Sequence, residues 1–138
     1  MAKSIVIDTG FWFALFDDRD RYHEDALLYF EYIDHHRLVI PWPTLYETLN
    51  TRFSRRQSWV GRFYRIIKSH SVFYIADNDY KEVSLKQFFN ERQRVSLVDI
   101  IIRNILEDDS LKIDAILTFN ESDFIDICYR NGIELFNG

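Results

Sequence analysis

The sequence is poor in the residues that staple or punctuate a chain. Its 138 residues hold one cysteine, Cys128, so an internal disulfide framework is excluded and a reducing compartment is expected. Cys128 lies among Ile125, Ile127 and Tyr129, which reads as a buried, inert thiol and not a nucleophile. Four glycines and two prolines leave no room for linkers or low-complexity tracts. There is no glycine-rich phosphate loop and no Gly-x-Gly-x-x-Gly fingerprint. No apolar run approaches the ~18 residues of a membrane span. The chain reaches Asp8 after one lysine and a three-residue apolar run, which is not a secretory signal. A soluble, cytoplasmic protein without membrane contact is the expectation. His23 and His70 have no histidine at i+4, so no histidine metal site is expected. His35-His36 reads as a cation placed near a helix C-terminus.

What is present is enough for one core. Hydrophobic residues make up 47%, with 12 Phe, 8 Tyr and 3 Trp, so a single packed domain over residues 1–138 is expected. Net charge is −5, which argues mildly against a protein that coats nucleic acid. The distribution says more than the sum. From Thr51 to Ala76 there is no acidic residue, while Arg52, Arg55, Arg56, Arg62, Arg65 and Lys68 fall in that stretch with Phe53, Trp59, Phe63 and Tyr64 between them. On one helix, Arg52, Arg55 and Arg56 would share a face, as would Arg62 and Arg65. Such a field suits RNA phosphates. Taken alone it equally suits a protein partner, or a solvated face whose long stems cover apolar surface.

Strand and helix signals alternate. Ile5-Val6-Ile7 is an uncharged β-branched run, suited to a strand buried on both faces, and it ends on Asp8. Phe11 to Phe16 reads as a short helix, and Tyr22 to His36 as a second with a wide apolar face. Leu38-Val39-Ile40 is the next strand, stopped by Pro41 and Pro43. Thr44-x-x-Glu47 has the form of a capping box opening a helix to about Arg56, and a second helix follows a break near Gln57-Ser58. Val72 to Ile75 is a third strand. A helix capped by Asp77 or Asn78 runs to about Arg92. Ser96-x-x-Asp99 is again a cap, with Ser96 as N-cap and Asp99 in the first turn of a buried helix that continues through the apolar run Ile100 to Ile105. Ala115-Ile116-Leu117 and Ile133 to Phe136 complete the strands. The alternation predicts an α/β fold with a mainly parallel sheet, and right-handed crossovers gather the strand carboxyl ends on one edge.

Four acids belong to that edge: Asp8, Glu47, Asp99 and Asp123. Each has an ordinary reading as a cap or turn, and for Glu47 alone the cap is favoured. Jointly they lack an adjacent basic partner, and carboxylates gathered in one place hold protons unless a cation is supplied. Oxygen-only ligands favour Mg²⁺ or Mn²⁺ over zinc. A metal-held water can then attack phosphorus, with the basic stretch taking flanking phosphates.

Val6-Ile7-Asp8-Thr9, the Pro-x-x-Leu-x-Glu-like segment with Leu45 and Glu47, Ser96-Leu97-Val98-Asp99, and Leu117-Thr118-Phe119-Asn120-x-x-Asp123-Phe124 together resemble a PIN domain over essentially the whole chain. Members of this length are most similar to VapC-type toxins. The resemblance implies a three-layer α/β/α sandwich on a five-stranded sheet of order 3-2-1-4-5. It implies Mg²⁺- or Mn²⁺-dependent ribonuclease activity, homodimers, and inhibition by a cognate antitoxin. By position, Asp8 and Asp99 would be the principal metal ligands, Glu47 a further acid on metal or water, and Asp123 the fourth. Asn120 stands where many members carry another Asp. Thr9 and Thr118 would support the acids, although ordinary turn hydrogen bonding is the favoured reading of both. A haloacid-dehalogenase phosphatase would need an acid at Gly10, and a response-regulator receiver would need an early acid pair and a later lysine. The competing class is a catalytically weak PIN-like module that binds RNA or protein, for which Asn120 speaks.

Overall fold

The computed structural model describes residues 2–90 and 95–136. Five strands form one sheet: β1 (Ser4–Ile7), β2 (Arg37–Pro41), β3 (Val72–Ile75), β4 (Ala115–Leu117) and β5 (Glu134–Phe136). Every pairing is parallel and the order is β3-β2-β1-β4-β5. This is the PIN-like α/β/α architecture and strand order that the motifs implied.

Strand alternation divides the core in two. Ile5, Ile7, Leu38, Ile40, Ala115 and Leu117 point to one face, and Val6, Val39 and Ile116 to the other, as a two-residue period requires. The first face is covered by α1 (Thr9–Phe16), α2 (His23–Ile33) and α5 (Gln57–Ser69), with Phe11, Trp12, Phe16, Ala26, Phe53 and Phe63 buried there. The second is covered by α7 (Leu97–Glu107) and α8 (Ile125–Asn131), through Ile101, Ile102, Ile105, Ile127 and Cys128. Cys128 is buried, and burial pushes its thiol up to about 11. No helix among the described residues is long and apolar enough to cross a membrane.

Three local expectations are corrected. The helix around Glu47 is α3 (Trp42–Thr48), which starts two residues before Thr44. Pro43 lies in its first turn, where a missing N–H costs nothing. Thr44 is therefore inside the helix, its hydroxyl donates to Pro41 O at 2.7 Å, and the Thr44–Glu47 capping box does not form. Nor does that helix run to Arg56. It stops at Leu49, and Asn50 restarts the chain by accepting from Phe53 N at 3.1 Å, capping α4 (Thr51–Ser54). Arg52, Arg55 and Arg56 therefore share no helical face: Arg52 belongs to α4, Arg55 ends it, and Arg56 precedes α5. Finally, α2 ends at Ile33, and His36 Nδ1 accepts from Lys3 N at 2.9 Å. That bond needs an unprotonated nitrogen, and burial and nearby Lys3 hold the imidazole below its usual range, so His36 is not a helix-end cation. The helix before Asp99, α6, spans Lys81–Asn90; its expected end at Arg92 lies outside the described residues.

Candidate active site

β1 and β4 leave the sheet at the same point, where Asp8 N donates to Leu117 O at 3.1 Å. Asp8 then caps α1 in extended conformation, its Oδ1 accepting from Thr9 N at 2.8 Å. Its Oδ2 accepts from Thr118 Oγ1 at 2.8 Å, and the same hydroxyl accepts from Asn120 N at 3.0 Å. Thr118 thus closes its own turn and also ties it to Asp8. The Asp8 residue is 4% exposed, and no cation among the described residues pairs with it. Burial, reinforced by repulsion from Asp99 and Glu47, pushes its carboxyl up to about 6, against the hydrogen bonds from Thr118 and Thr9.

Glu47 is delivered from α3. Its Oε1 accepts from Thr9 Oγ1 at 2.7 Å, so Thr9 joins the first and second acids across the sheet edge. The turn reading of Thr9 does not hold. Asp99 sits in the first turn of α7 inside a complete capping box: Ser96 Oγ accepts from Asp99 N at 3.1 Å, and Asp99 Oδ2 accepts from Ser96 N at 3.4 Å. Burial and the charge of Glu47 raise the Asp99 carboxyl even so. Thr9, Phe13, Glu47, Asn50, Ser96, Asp99 and Asn120 line one open cleft of about 430 Å³; Asp8 does not line it, but its buried carboxyl interacts with the charges of Asp99 and Glu47.

Asp123 lies to one side, in a 3-10 turn over Glu121–Asp123. It does not line the cleft. Burial and then Asp99 raise its carboxyl, while Arg103 opposes both. Arg103 also donates to Asp123 O at 2.7 Å and grips Asp126 with two bonds of 2.8 and 2.9 Å. The arginines of the acid-free stretch are spread along a surface. Arg52 pairs with Asp17 at 3.3 Å and lies over Phe13, 5.7 Å from the ring centre. Arg56 lies over Trp59 and Arg62 over Phe16. Arg55 and Arg65 are exposed. Sequence reasoning missed Phe13 and Asn50 as cleft residues. Asn50 donates to Glu47 O at 2.9 Å, and its signal was a helix-capping amide three residues after the acid.

The donor chemistry suits a hard divalent cation. Asp8, Glu47 and Asp99 offer oxygen alone, Glu47 raises the carboxyls of Asp8 and Asp99, and none of the three has an ion-pair partner among the described residues. Among the described residues no three His, Cys, Asp or Glu side chains close into a finished coordination cluster, so the four acids are not a preformed four-ligand cage. Mg²⁺ retains several waters and needs few direct carboxylates, so the set fits such an ion.

No family model and no curated protein matches the chain. Among solved structures it is similar to VapC20 from Mycobacterium tuberculosis, a toxin that cleaves the sarcin-ricin loop. Identity is 20%, the TM-score is 0.70, and the match covers 88% of this chain and 94% of that one. The strand order and this match agree, and the chain has the PIN-like α/β/α fold.

Proposed function

We propose that the chain is a divalent-metal-dependent endoribonuclease acting as the toxin of a toxin–antitoxin pair. The supporting observation is that Glu47 and Asp99 line one cleft and repel the buried carboxyl of Asp8, with no ion pair to any of the three among the described residues. RNA cleavage by the structural neighbour supports RNA as the substrate. Asp8 and Asp99 would be the principal ligands of Mg²⁺ or Mn²⁺, with Glu47 beside them and Asp123 more remote. The bound ion would supply an activated water and screen the phosphate oxygens. Thr118 and the Thr9 amide fix the Asp8 carboxylate. Thr9 occupies one oxygen of Glu47, leaving Oε2 to accept a proton from the attacking water. The whole of residues 1–138 forms this one nuclease domain, in the cytoplasm.

An apolar groove of about 490 Å³, lined by Trp42, Leu45, Tyr46, Leu49, Ile67 and Tyr74, supports pairing with a second copy, and an antitoxin would be a further partner. Asn120 in the cleft favours the second reading, a PIN-like binding module with weak catalysis. One assay separates the two. Labelled single-stranded and stem-loop RNAs are incubated with Mg²⁺, Mn²⁺ or chelator, using wild type and Asp8→Asn. Metal-dependent cleavage lost in Asp8→Asn is the expected result. Cleavage in chelator, or undiminished cleavage by the variant, would sink the assignment.

A further inference from the structure

The far end of α1 carries a second pocket that the acid cleft does not use. Thr9 and Phe13 line the cleft, while Phe16 and Asp17 line a separate cavity of about 420 Å³ together with Arg19, Arg56, Ser58 and Arg62. Residues 9, 13 and 16 are spaced i, i+4 and i+7, so one face of α1 runs from the first site to the second. At 1.5 Å per residue, residues 9 and 16 lie about 10 Å apart along the helix.

Two guanidinium groups in this cavity are held by aromatic rings. Arg56 sits 4.8 Å from the Trp59 ring centre and Arg62 5.0 Å from that of Phe16. Both rings are buried and so fixed in place. Neither arginine makes an ion pair among the described residues. The acids nearby are accounted for differently. Asp17 is engaged by Arg19 at 3.6 Å and by Arg52 at 3.3 Å, whereas Asp18 lines the cavity rim, is exposed to solvent and so is screened. A stacked guanidinium keeps its forked N–H edge for an anion, and that edge matches phosphate geometry. Arg52 lies between the two sites, stacked on Phe13 of the cleft and bonded to Asp17 of the pocket.

The geometry points to a phosphate-binding pocket formed by Arg56, Arg62 and Ser58, which holds the backbone of an RNA strand about 10 Å from the acid cleft, with Arg52 as the step between them. This rests on the reading of the substrate as RNA and not on cleavage. A strand laid along α1 would meet the stacked guanidinium groups of Arg56 and Arg62 at the far pocket, Arg52 between the sites, and Glu47 and Asp99 at the cleft.

The test is binding of a short single-stranded RNA in chelator, where metal-dependent cleavage does not occur, measured by fluorescence anisotropy across a salt series. Each lost phosphate contact on a single strand flattens the plot of log affinity against log salt by about 0.7. Arg56→Ala with Arg62→Ala should flatten it by about 1.4 and weaken binding about tenfold or more at low salt. The double lysine variant keeps the charge and guards against misfolding; it should recover most of the slope. Arg130→Ala, on the opposite layer, should change neither. An unchanged slope in the folded alanine variant overturns the proposal, as does failure of wild type to bind RNA. Loss of binding to an acidic peptide in place of RNA also overturns it and makes the pocket a protein site. Cleavage by wild type with an unchanged slope leaves the nuclease standing without the pocket. Binding with the expected slopes but no cleavage in any metal leaves the pocket standing without the nuclease.

Discussion

Asp8 and Asp126 are the same side chain in opposite circumstances. Asp126, at the α7–α8 surface, takes two hydrogen bonds from Arg103, which pull its carboxyl down to about 2. Asp8, at the β1–β4 edge, is buried beside two other acids and is pushed up to about 6. At the surface the fold supplies the countercharge itself. At the strand edge it supplies hydroxyls and an amide, and among the described residues no ion-pair partner, so burial of the charge is only partly offset.

The largest way to break this contrast is Asp8→Asn. RNA cleavage should fall by more than the 10- to 100-fold typical of losing an outer partner of a metal ligand, measured as initial rate in saturating Mg²⁺. The second way is pH. A carboxyl whose folded pKa is raised binds its proton more tightly in the native state, so stability falls as pH rises from about 4 to about 6 and then levels. For Asp8 a shift of about two units corresponds to about 3 kcal/mol, read by urea unfolding of metal-free protein. Asp8→Asn should remove the Asp8 share of that fall and leave the smaller share from the raised carboxyls of Asp99 and Asp123. Asp126 has the opposite sign: its contribution is present above its unfolded pKa and is lost as pH drops toward 2. Third, Arg103→Ala should cost about 2 kcal/mol, because it removes charged hydrogen bonds to Asp126 and to Asp123 O. It should also raise the Asp123 carboxyl further, as carboxyl NMR titration would show. Smallest, Ser96→Ala should cost about 1 kcal/mol through loss of the α7 cap, with a modest drop in cleavage because Asp99 loses its tether. An equal drop in stability without any change in rate would detach Asp99 from the chemistry.

Much of this was legible in the residues. Ile5-Val6-Ile7 reads as a buried strand because every side chain is apolar and branched, and its acid terminus follows directly. Ser96-x-x-Asp99 reads as a cap because both partners lie within one turn. Thr44-x-x-Glu47 has the same local form and failed. Its hydroxyl is satisfied by Pro41, and its carboxylate is claimed by Thr9, 38 residues earlier. The arginine spacing failed for a related reason: Asn50 and Arg56 interrupt the helix on which that spacing was counted.

The sequence by itself determined which segments are strands, which of them end on acids, and where the acid-free stretch falls, because these depend on side-chain chemistry within a few residues. Only the tertiary structure decided that Glu47 and Asp99 line one cleft and act on the buried Asp8, while Asp123 lies between the charges of Asp99 and Arg103. It also decided that Arg56 and Arg62 meet over the end of α1. Those relations depend on parallel strands bringing distant residues to one edge, and on hydrogen bonds and ring contacts between helices that no local pattern encodes.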